Sequence, residues 1–159
     1  LVPVTEGSVP HVILTKRSSA LKHHPGQVAF PGGKADDTDM DETRTALREA
    51  HEEIGLSSEL VTVLGSLPAH ETVTGFQVTP VVSLISERFI PQPDANEVAE
   101  VFNVPLAHLL HPENYSVQFR RWRGQRRFFF TVAWGPYYIW GATARILRAL
   151  ADRMAVEKT

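Results

Sequence analysis

The sequence predicts an α+β fold, and three observations carry that prediction. Short stretches rich in β-branched and aromatic residues recur along most of the chain, separated by Gly, Pro, Asn and Asp. Only two stretches show the 3.6-residue apolar period of a long helix, one ending at Gly55 and one beginning at Gly141. These lie one towards each end of the order and do not alternate with every strand, so the pattern is layered α+β and not a βαβ repeat.

In chain order, residues 1–5 and 10–16 read as a hairpin around the turn residues Glu6, Gly7 and Ser8. Residues 18–33, SSALKHHPGQVAFPGG, mix basic side chains with Pro25, Gly26, Pro31 and the Gly32-Gly33 pair. That mixture predicts a loop, a short strand at 27–30 and a turn. The T-x-x-D spacing of Thr38 and Asp41 places a helix cap at 38–41, and Gly55 is a natural stop. Residues 60–67 and 77–85 read as strands joined by a polar connection at 70–76, followed by a loop over 85–97 and a strand over 97–104. Pro105, welcome at a first helical position, opens a short turn through Leu110. Residues 114–122 and 125–134 are the arms of a hairpin turning near Gly124, and 137–140 continue its sheet. Ala144, Ile146, Leu147, Leu150 and Met154 make the last stretch, through Glu157, an amphipathic helix. Neither an internal repeat nor a linker divides the chain, which reads as one domain over 1–159. It opens at Leu1 in what reads as a strand already under way, so residues are expected ahead of it.

Composition limits the chemistry. A chain of 159 residues can bury about two-thirds of its unfolded surface around one core. Charged residues make up 21%, hydrophobic ones 43%, and the formal net charge is −2, values of an ordinary soluble globular chain with no overall field for nucleic acid. There are no cysteines, which excludes disulfides, thiolate zinc sites and cysteine nucleophiles. No apolar run reaches the 18 residues of a membrane helix, and the first residues lack a basic n-region. The expected setting is the cytoplasm, with a small-molecule substrate and with neither nucleic acid nor membrane as partner.

Glu49, Glu52 and Glu53 occupy positions i, i+3 and i+4 and so share one side of the first long helix. Thr43, Ala46, Leu47, Ala50 and Ile54 form a second stripe, centred roughly 120° away, that can pack on a core. Like charges gathered at a core edge are costly, which points to a divalent cation between them, and hard oxygen ligands point to Mg²⁺ or Mn²⁺. Arg48 is spaced to pair with Glu52. His23 and His24 are adjacent and lack the ligand spacing of a tetrahedral zinc site. The run RRWRGQRR, residues 120–127, is the most basic in the chain and would suit RNA or phosphate, but against a net charge of −2 it reads as a solvated hairpin tip with its arginines on an outer face. Phe76, Trp122 and Trp140 could stack an adenine, but aromatic residues in strands read first as core.

Gly33, Arg48-Glu49, Glu52-Glu53, Gly55 and Leu56 together resemble the Nudix hydrolase signature G-x5-E-x7-R-E-U-x-E-E-x-G-U, with U apolar. Asp39 stands where that signature has its first glutamate, eight residues instead of seven separate it from Arg48, and Ala50 is small for U. Just upstream, residues 13–33 resemble the coenzyme A pyrophosphatase pattern L-L-T-x-R-[SA]-x3-R-x3-G-x3-F-P-G-G. Leu14, Thr15, Arg17, Ser18, Gly26, Phe30, Pro31, Gly32 and Gly33 fit it, with Ile13 in place of leucine and Lys22 in place of arginine. The resemblance implies a Nudix-type α/β/α sandwich with a mixed central β-sheet and a loop-helix-loop at the site. It implies hydrolysis of the pyrophosphate of coenzyme A or its derivatives, giving 3',5'-ADP and 4'-phosphopantetheine or its acyl form. The alternatives are another nucleoside diphosphate derivative, such as ADP-ribose or NADH, or a nucleotide-sensing module without turnover. Glu49, Glu53 and Glu52, with the Gly33 carbonyl, are the implied ligands of Mg²⁺ or Mn²⁺, and Arg48 joins the three glutamates in the catalytic set. Glu97, Glu100 and Glu71 are candidates for a base from outside the helix. Arg17, Lys22, His23, His24, Phe30 and Gly32 are candidates for holding substrate. A monomer or homodimer is expected.

Overall fold

Strand β1 (Val2–Thr5) is antiparallel to β2 (His11–Arg17) and parallel to β7 (Val81–Ile85), so the central sheet is mixed. The computed structural model describes residues 1–156. β2 also pairs with β3 (Val28–Ala29) and, along its whole length, with β8 (Val98–Pro105), while β4 (Val61–Ser66) closes the other edge against β7. A second sheet has the order β11-β10-β9, from β9 (Tyr115–Trp122), β10 (Gln125–Trp134) and β11 (Tyr137–Trp140). β5 (His70–Glu71) and β6 (Gln77–Val78) make a separate ribbon.

The layers follow from the period of two along β2. Val12 and Leu14 face one way and join Val104, Val132, Ile139 and Leu147 under the second sheet and the long C-terminal helix. Ile13 faces the other way and joins Ala46, Ala50, Ile54, Val81 and Ile85 under helix α1 (Glu42–Ile54). A mixed sheet thus lies between α1 on one face and, on the other, the last helix, numbered α3 below, which is the expected α/β/α sandwich. Short helix α2 (Leu106–Leu109) leads from β8 towards the second sheet, and α3 (Gly141–Val156) follows β11. Among the described residues no helix is long and apolar enough to cross a membrane.

Several boundaries differ from expectation, each for a local reason. Asp41, and not Thr38, caps α1: its side chain accepts from the Arg44 amide at 2.8 Å, while the Thr38 amide turns back to Asp36. The predicted strand over 77–85 is split at Pro80, which cannot donate to a ladder. Its first two residues pair instead with β5, inside the stretch expected to be an unpaired connection. Pro105 ends β8 in an extended conformation and caps α2, so the helix starts one residue later than predicted. Phe76 and Trp122 are exposed and Trp140 is half-buried, against the expectation of core aromatics. Glu157, the expected last residue of α3, lies outside the described residues.

Leu147 is 1% exposed where α3 meets both sheets. Leu147→Ala is therefore expected to cost about 2–5 kcal/mol of unfolding free energy in urea titration, through lost transfer energy and a residual cavity.

Candidate functional site

Gly33 and Glu49 approach so closely that a side chain at position 33 would displace the Glu49 carboxylate from its present place. A β-carbon on Gly33 would stand 2.5 Å from the Glu49 carboxyl carbon and 2.7 Å from its nearer oxygen. The turn is brought there by β3, which docks on β2 at Thr15 and Lys16, and by the Pro31 carbonyl, which accepts from the Leu1 nitrogen at 2.7 Å. At the other end of α1, Gly55 takes a left-handed conformation (φ 72°) and returns its amide to the His51 carbonyl, ending the helix cleanly.

The three helix glutamates share a side but not an environment. Glu53 is buried, 7% exposed; Glu49 is intermediate; Glu52 is exposed. Burial raises the Glu53 pKa to about 7, the Glu49 charge adds to the rise, and the Gly32 backbone amide opposes it. The Glu49 carboxyl is also raised, chiefly by burial, with the Arg48 hydrogen bond pulling the other way.

Arg48 is the hub. Its Nε donates to Asp39 Oδ1 at 3.0 Å and its Nη2 to Asp39 Oδ2 at 2.9 Å and to the Lys34 carbonyl at 3.1 Å. Nη1 donates to Glu49 Oε1 at 3.1 Å and to Glu52 Oε1 at 3.4 Å. The predicted partner Glu52 is thus the longest of its contacts, and Asp39 is the main one. Asp39 also accepts from the Thr45 hydroxyl at 2.9 Å and from the Asp36 amide at 2.8 Å. The Arg48 hydrogen bonds, ahead of the Asp36 amide, hold the Asp39 carboxyl well below the usual carboxylate range.

Of the three outside acids, one reaches the cluster. Glu97 is close enough for its charge to bear on both Glu49 and Glu53. Its backbone is fixed from two sides: its carbonyl accepts from the Ser18 amide at 2.9 Å, and its amide donates to the Asp94 carbonyl at 3.0 Å. Asp94 and Gln92 in turn donate their amides to the Glu53 and Ile54 carbonyls at 2.9 and 2.8 Å, which locks this loop onto the C-terminal end of α1. Glu100 is engaged elsewhere, with Lys16 at 3.8 Å and the Tyr137 hydroxyl at 3.3 Å, and Glu71 lies on the separate β5–β6 ribbon. The locking loop was invisible as a sequence feature apart from the Asp94–Asn96 turn, in which Asp94 Oδ1 accepts the Asn96 amide.

The upstream basic stretch makes a tight loop beside this cluster. The Arg17 amide donates to the Gln27 carbonyl at 2.9 Å, the Arg17 carbonyl accepts from the Gly26 amide at 3.1 Å, and the Arg17 guanidinium donates to the His23 carbonyl at 3.1 and 3.3 Å. The Arg17 charge is felt by Glu53. Lys22, His23 and His24 are exposed on the loop, with His24 left-handed at φ 52°. Phe30 is half-buried, packed against two core clusters, and Gly32 lines the turn.

Among the described residues no three Asp, Glu or His side chains are gathered into a closed metal-ligand group. The donors nevertheless suit a hard cation that keeps waters and borrows ligands from a phosphate substrate: two carboxylates one helical turn apart, both raised by burial, against a glycine turn that leaves no room for a β-carbon.

Comparison with known proteins agrees with this geometry. Residues 1–126 match the NUDIX domain family. The Nudix hydrolase NudL of Enterobacter sp. (strain 638) is 43% identical over 157 residues, covering 99% of this chain and 82% of that protein. The fold resembles that of a C. elegans Ap4A hydrolase, with a TM-score of 0.57 at 17% identity over 67% of this chain and 77% of the other. It also resembles a MutT/nudix family protein from Enterococcus faecalis, with a TM-score of 0.59 at 16% identity over 98% of this chain and 60% of the other.

Because the folded pKa of Asp39 lies well below its unfolded value of about 3.9, its stabilisation is complete above the unfolded value and is lost progressively as pH falls from there through the lower folded value. The urea midpoint of Asp39→Asn is expected to fall below that of the parent near pH 6, with the gap beginning to narrow near about pH 4 and closing progressively as pH falls further. A gap independent of pH would mean that the charge of Asp39 is not what secures Arg48.

Proposed function

This chain belongs to the Nudix family of hydrolases, and from that premise we propose that it is a metal-dependent pyrophosphohydrolase acting on coenzyme A or its derivatives. The products are 3',5'-ADP and 4'-phosphopantetheine or its acyl form. The observation that carries the reading is the junction at Gly32-Gly33, where the Glu49–Glu53 pair and the basic loop from Arg17 to Gly26 meet across one turn.

Glu49 and Glu53 are the proposed direct ligands of Mg²⁺ or Mn²⁺, with the Gly33 carbonyl, and Glu52 directly or through water. Bound there, the cation supplies neutralisation of pyrophosphate charge and acidification of a bound water. Arg48 acts as a positioning residue, holding Glu49 and Glu52 in fixed rotamers by charge-assisted hydrogen bonds. Glu97 is the favoured base among the three outside carboxylates, because it alone is electrically coupled to both Glu49 and Glu53 while Glu100 is already paired. Its role is to accept the proton of the attacking water. Lys22, His23 and His24, exposed on the loop, and Arg17 at its base provide positive charge for the bridging phosphates and for the 3'-phosphate that distinguishes coenzyme A from ordinary dinucleotides. Phe30 contributes by packing the turn from below and Gly32 by its backbone amide.

A panel of coenzyme A, dephospho-coenzyme A, ADP-ribose and NADH, assayed with Mg²⁺ and with Mn²⁺ and resolved by product chromatography, tests the substrate. Coenzyme A is expected to be preferred, with 3',5'-ADP released; comparable turnover of all four would sink the assignment of a 3'-phosphate site. Glu53→Gln is expected to lower kcat by roughly 10²-fold or more while leaving the unfolding midpoint nearly unchanged. Glu97→Gln is expected to lower kcat with little change in KM, and an unaltered kcat would remove it as the base.

A further inference from the structure

The hairpin formed by β9 and β10 has a surface that the hydrolase site does not explain. Between residues 115 and 134 it carries Arg120, Arg121, Arg123, Arg126 and Arg127 and no acidic residue, in a chain whose net charge is −2. The register sets Arg121 opposite Arg126 and Arg120 opposite Arg127, so two successive rungs put like charges face to face, one pair on each side of the ribbon. The arginines therefore occupy both faces, and not the single outer face expected from the sequence. Among the described residues none of the five has a carboxylate within ion-pair distance. Three of them lie beside rings instead: Arg126 is 4.9 Å from the Phe119 ring, Arg120 is 4.6 Å from that of Trp140, and Arg123 is 5.9 Å from that of Trp122.

The rings themselves are open to solvent. Phe119 and Phe128 face each other across the strands with centroids 6.0 Å apart, and they are 51% and 66% exposed. Trp122, beside the turn, is 52% exposed. Arg123 and Gly124 both have positive φ, 48° and 78°, the geometry of a tight two-residue turn that matches strand twist. The array is thus held by a paired ribbon, and it extends about 13 Å from the Phe119–Phe128 rung to the turn.

Solvent-exposed like-charge pairs without carboxylate partners, beside exposed rings, suit an occupant that brings both negative charge and flat apolar surface. A second copy joining at the open edge of β9 would set arginine against arginine. A membrane would meet arginines on both faces of the leading end before it met the phenylalanines. A duplex would offer phosphates but leave the rings without partners. We propose that the β9–β10 hairpin is a docking surface for single-stranded nucleic acid, with Phe119 and Phe128 stacking bases and the Arg121–Arg126 rung, on the same face of the ribbon, contacting phosphates, while Trp122 and the Arg120–Arg127 rung lie on the opposite face. The proposal departs from the expectation of no nucleic-acid partner, which rested on the net charge of −2 and on reading residues 120–127 as a solvated hairpin tip.

Fluorescence anisotropy of a labelled 20-nucleotide oligouridylate with the full chain tests this, against a 20-base-pair duplex and vesicles of phosphatidylcholine and phosphatidylglycerol. Saturable binding is expected that weakens with salt by a log–log slope of about 0.7 per phosphate contacted. Arg121→Gln with Arg126→Gln is expected to reduce that slope by about 1.4, while Arg121→Lys with Arg126→Lys preserves it. Phe119→Ala with Phe128→Ala is expected to weaken binding about tenfold at one salt concentration without altering the slope. Unfolding midpoints of all variants, and the single Phe128→Ala variant, guard against loss of fold. Absence of binding at about 50 mM salt, equal affinity for duplex, binding of vesicles but not of oligouridylate, or variants that bind like the parent would each overturn the proposal.

Discussion

Arg48 has five N–H donors, and in the folded chain it finds five acceptors: two oxygens of Asp39, the Lys34 carbonyl, and one oxygen each from Glu49 and Glu52. That full occupancy explains why the loop before α1 and the acidic face of α1 form one unit. The guanidinium is planar, so its acceptors must lie in fixed directions, and the loop from Lys34 to Asp39 is positioned relative to Glu49 by a single rigid fork. A lysine in its place would supply a point charge with three donors and could not hold loop and helix at once. The orientation of Glu49 towards the Gly33 turn therefore depends on residues ten positions away in sequence.

The site sets this constraint against a cost. Glu53 is buried with its carboxyl raised to about 7, a rise to which the Glu49 charge adds, and Glu49 is raised as well, chiefly by burial, with the Glu52 and Glu97 charges adding to it. Only part of the cost is offset locally, by Arg48 on Glu49 and by the Gly32 amide and the Arg17 charge on Glu53. The fold tolerates the remainder because the surrounding backbone is fully committed: the Gly55 cap, the Gln92 and Asp94 amides on the last carbonyls of α1, and β3 on β2. Such residual repulsion is where a cation-dependent hydrolase of this family gains affinity, since the cation relieves a penalty the fold has already imposed.

How much of this was legible in the sequence depended on the range of the interaction. The i, i+3, i+4 spacing put Glu49, Glu52 and Glu53 on one side of α1, and the apolar period identified Ala46, Ala50 and Ile54 as its packed stripe. Helical geometry alone treats the three acids alike, however. Their separation into buried, intermediate and exposed comes from the loop over 92–97 folding back on the helix end, a contact between segments some forty residues apart. The same limit applies to Phe119, Phe128 and Trp122. Strand propensity placed them on strands correctly, but burial of a strand residue depends on what covers its face, and the hairpin extends beyond that cover. Pro80 and Pro105 were visible as special residues, yet whether a proline ends a strand or opens a helix depends on the pairing partner available to it.

The aspartate at position 39 and the extra residue between it and Arg48 are best understood together. An aspartate is one methylene shorter than the glutamate of the family signature, so from an unchanged loop it would fall short of the guanidinium. One additional residue lengthens the loop and lets the backbone carry the carboxylate closer. On the other side of Asp39, in the five-residue stretch whose length matches the signature, the Asp39 amide donates to the Asp36 carbonyl at 3.0 Å and the Asp36 amide returns to Asp39 Oδ2 at 2.8 Å. A shorter side chain has fewer rotamers to lose, and this one is held by four groups: the turn, Thr45 and both edges of the Arg48 fork. The departure from the signature at this point is therefore a compensated pair, in which loop length and side-chain length change in opposite directions and the bidentate contact with Arg48 is kept.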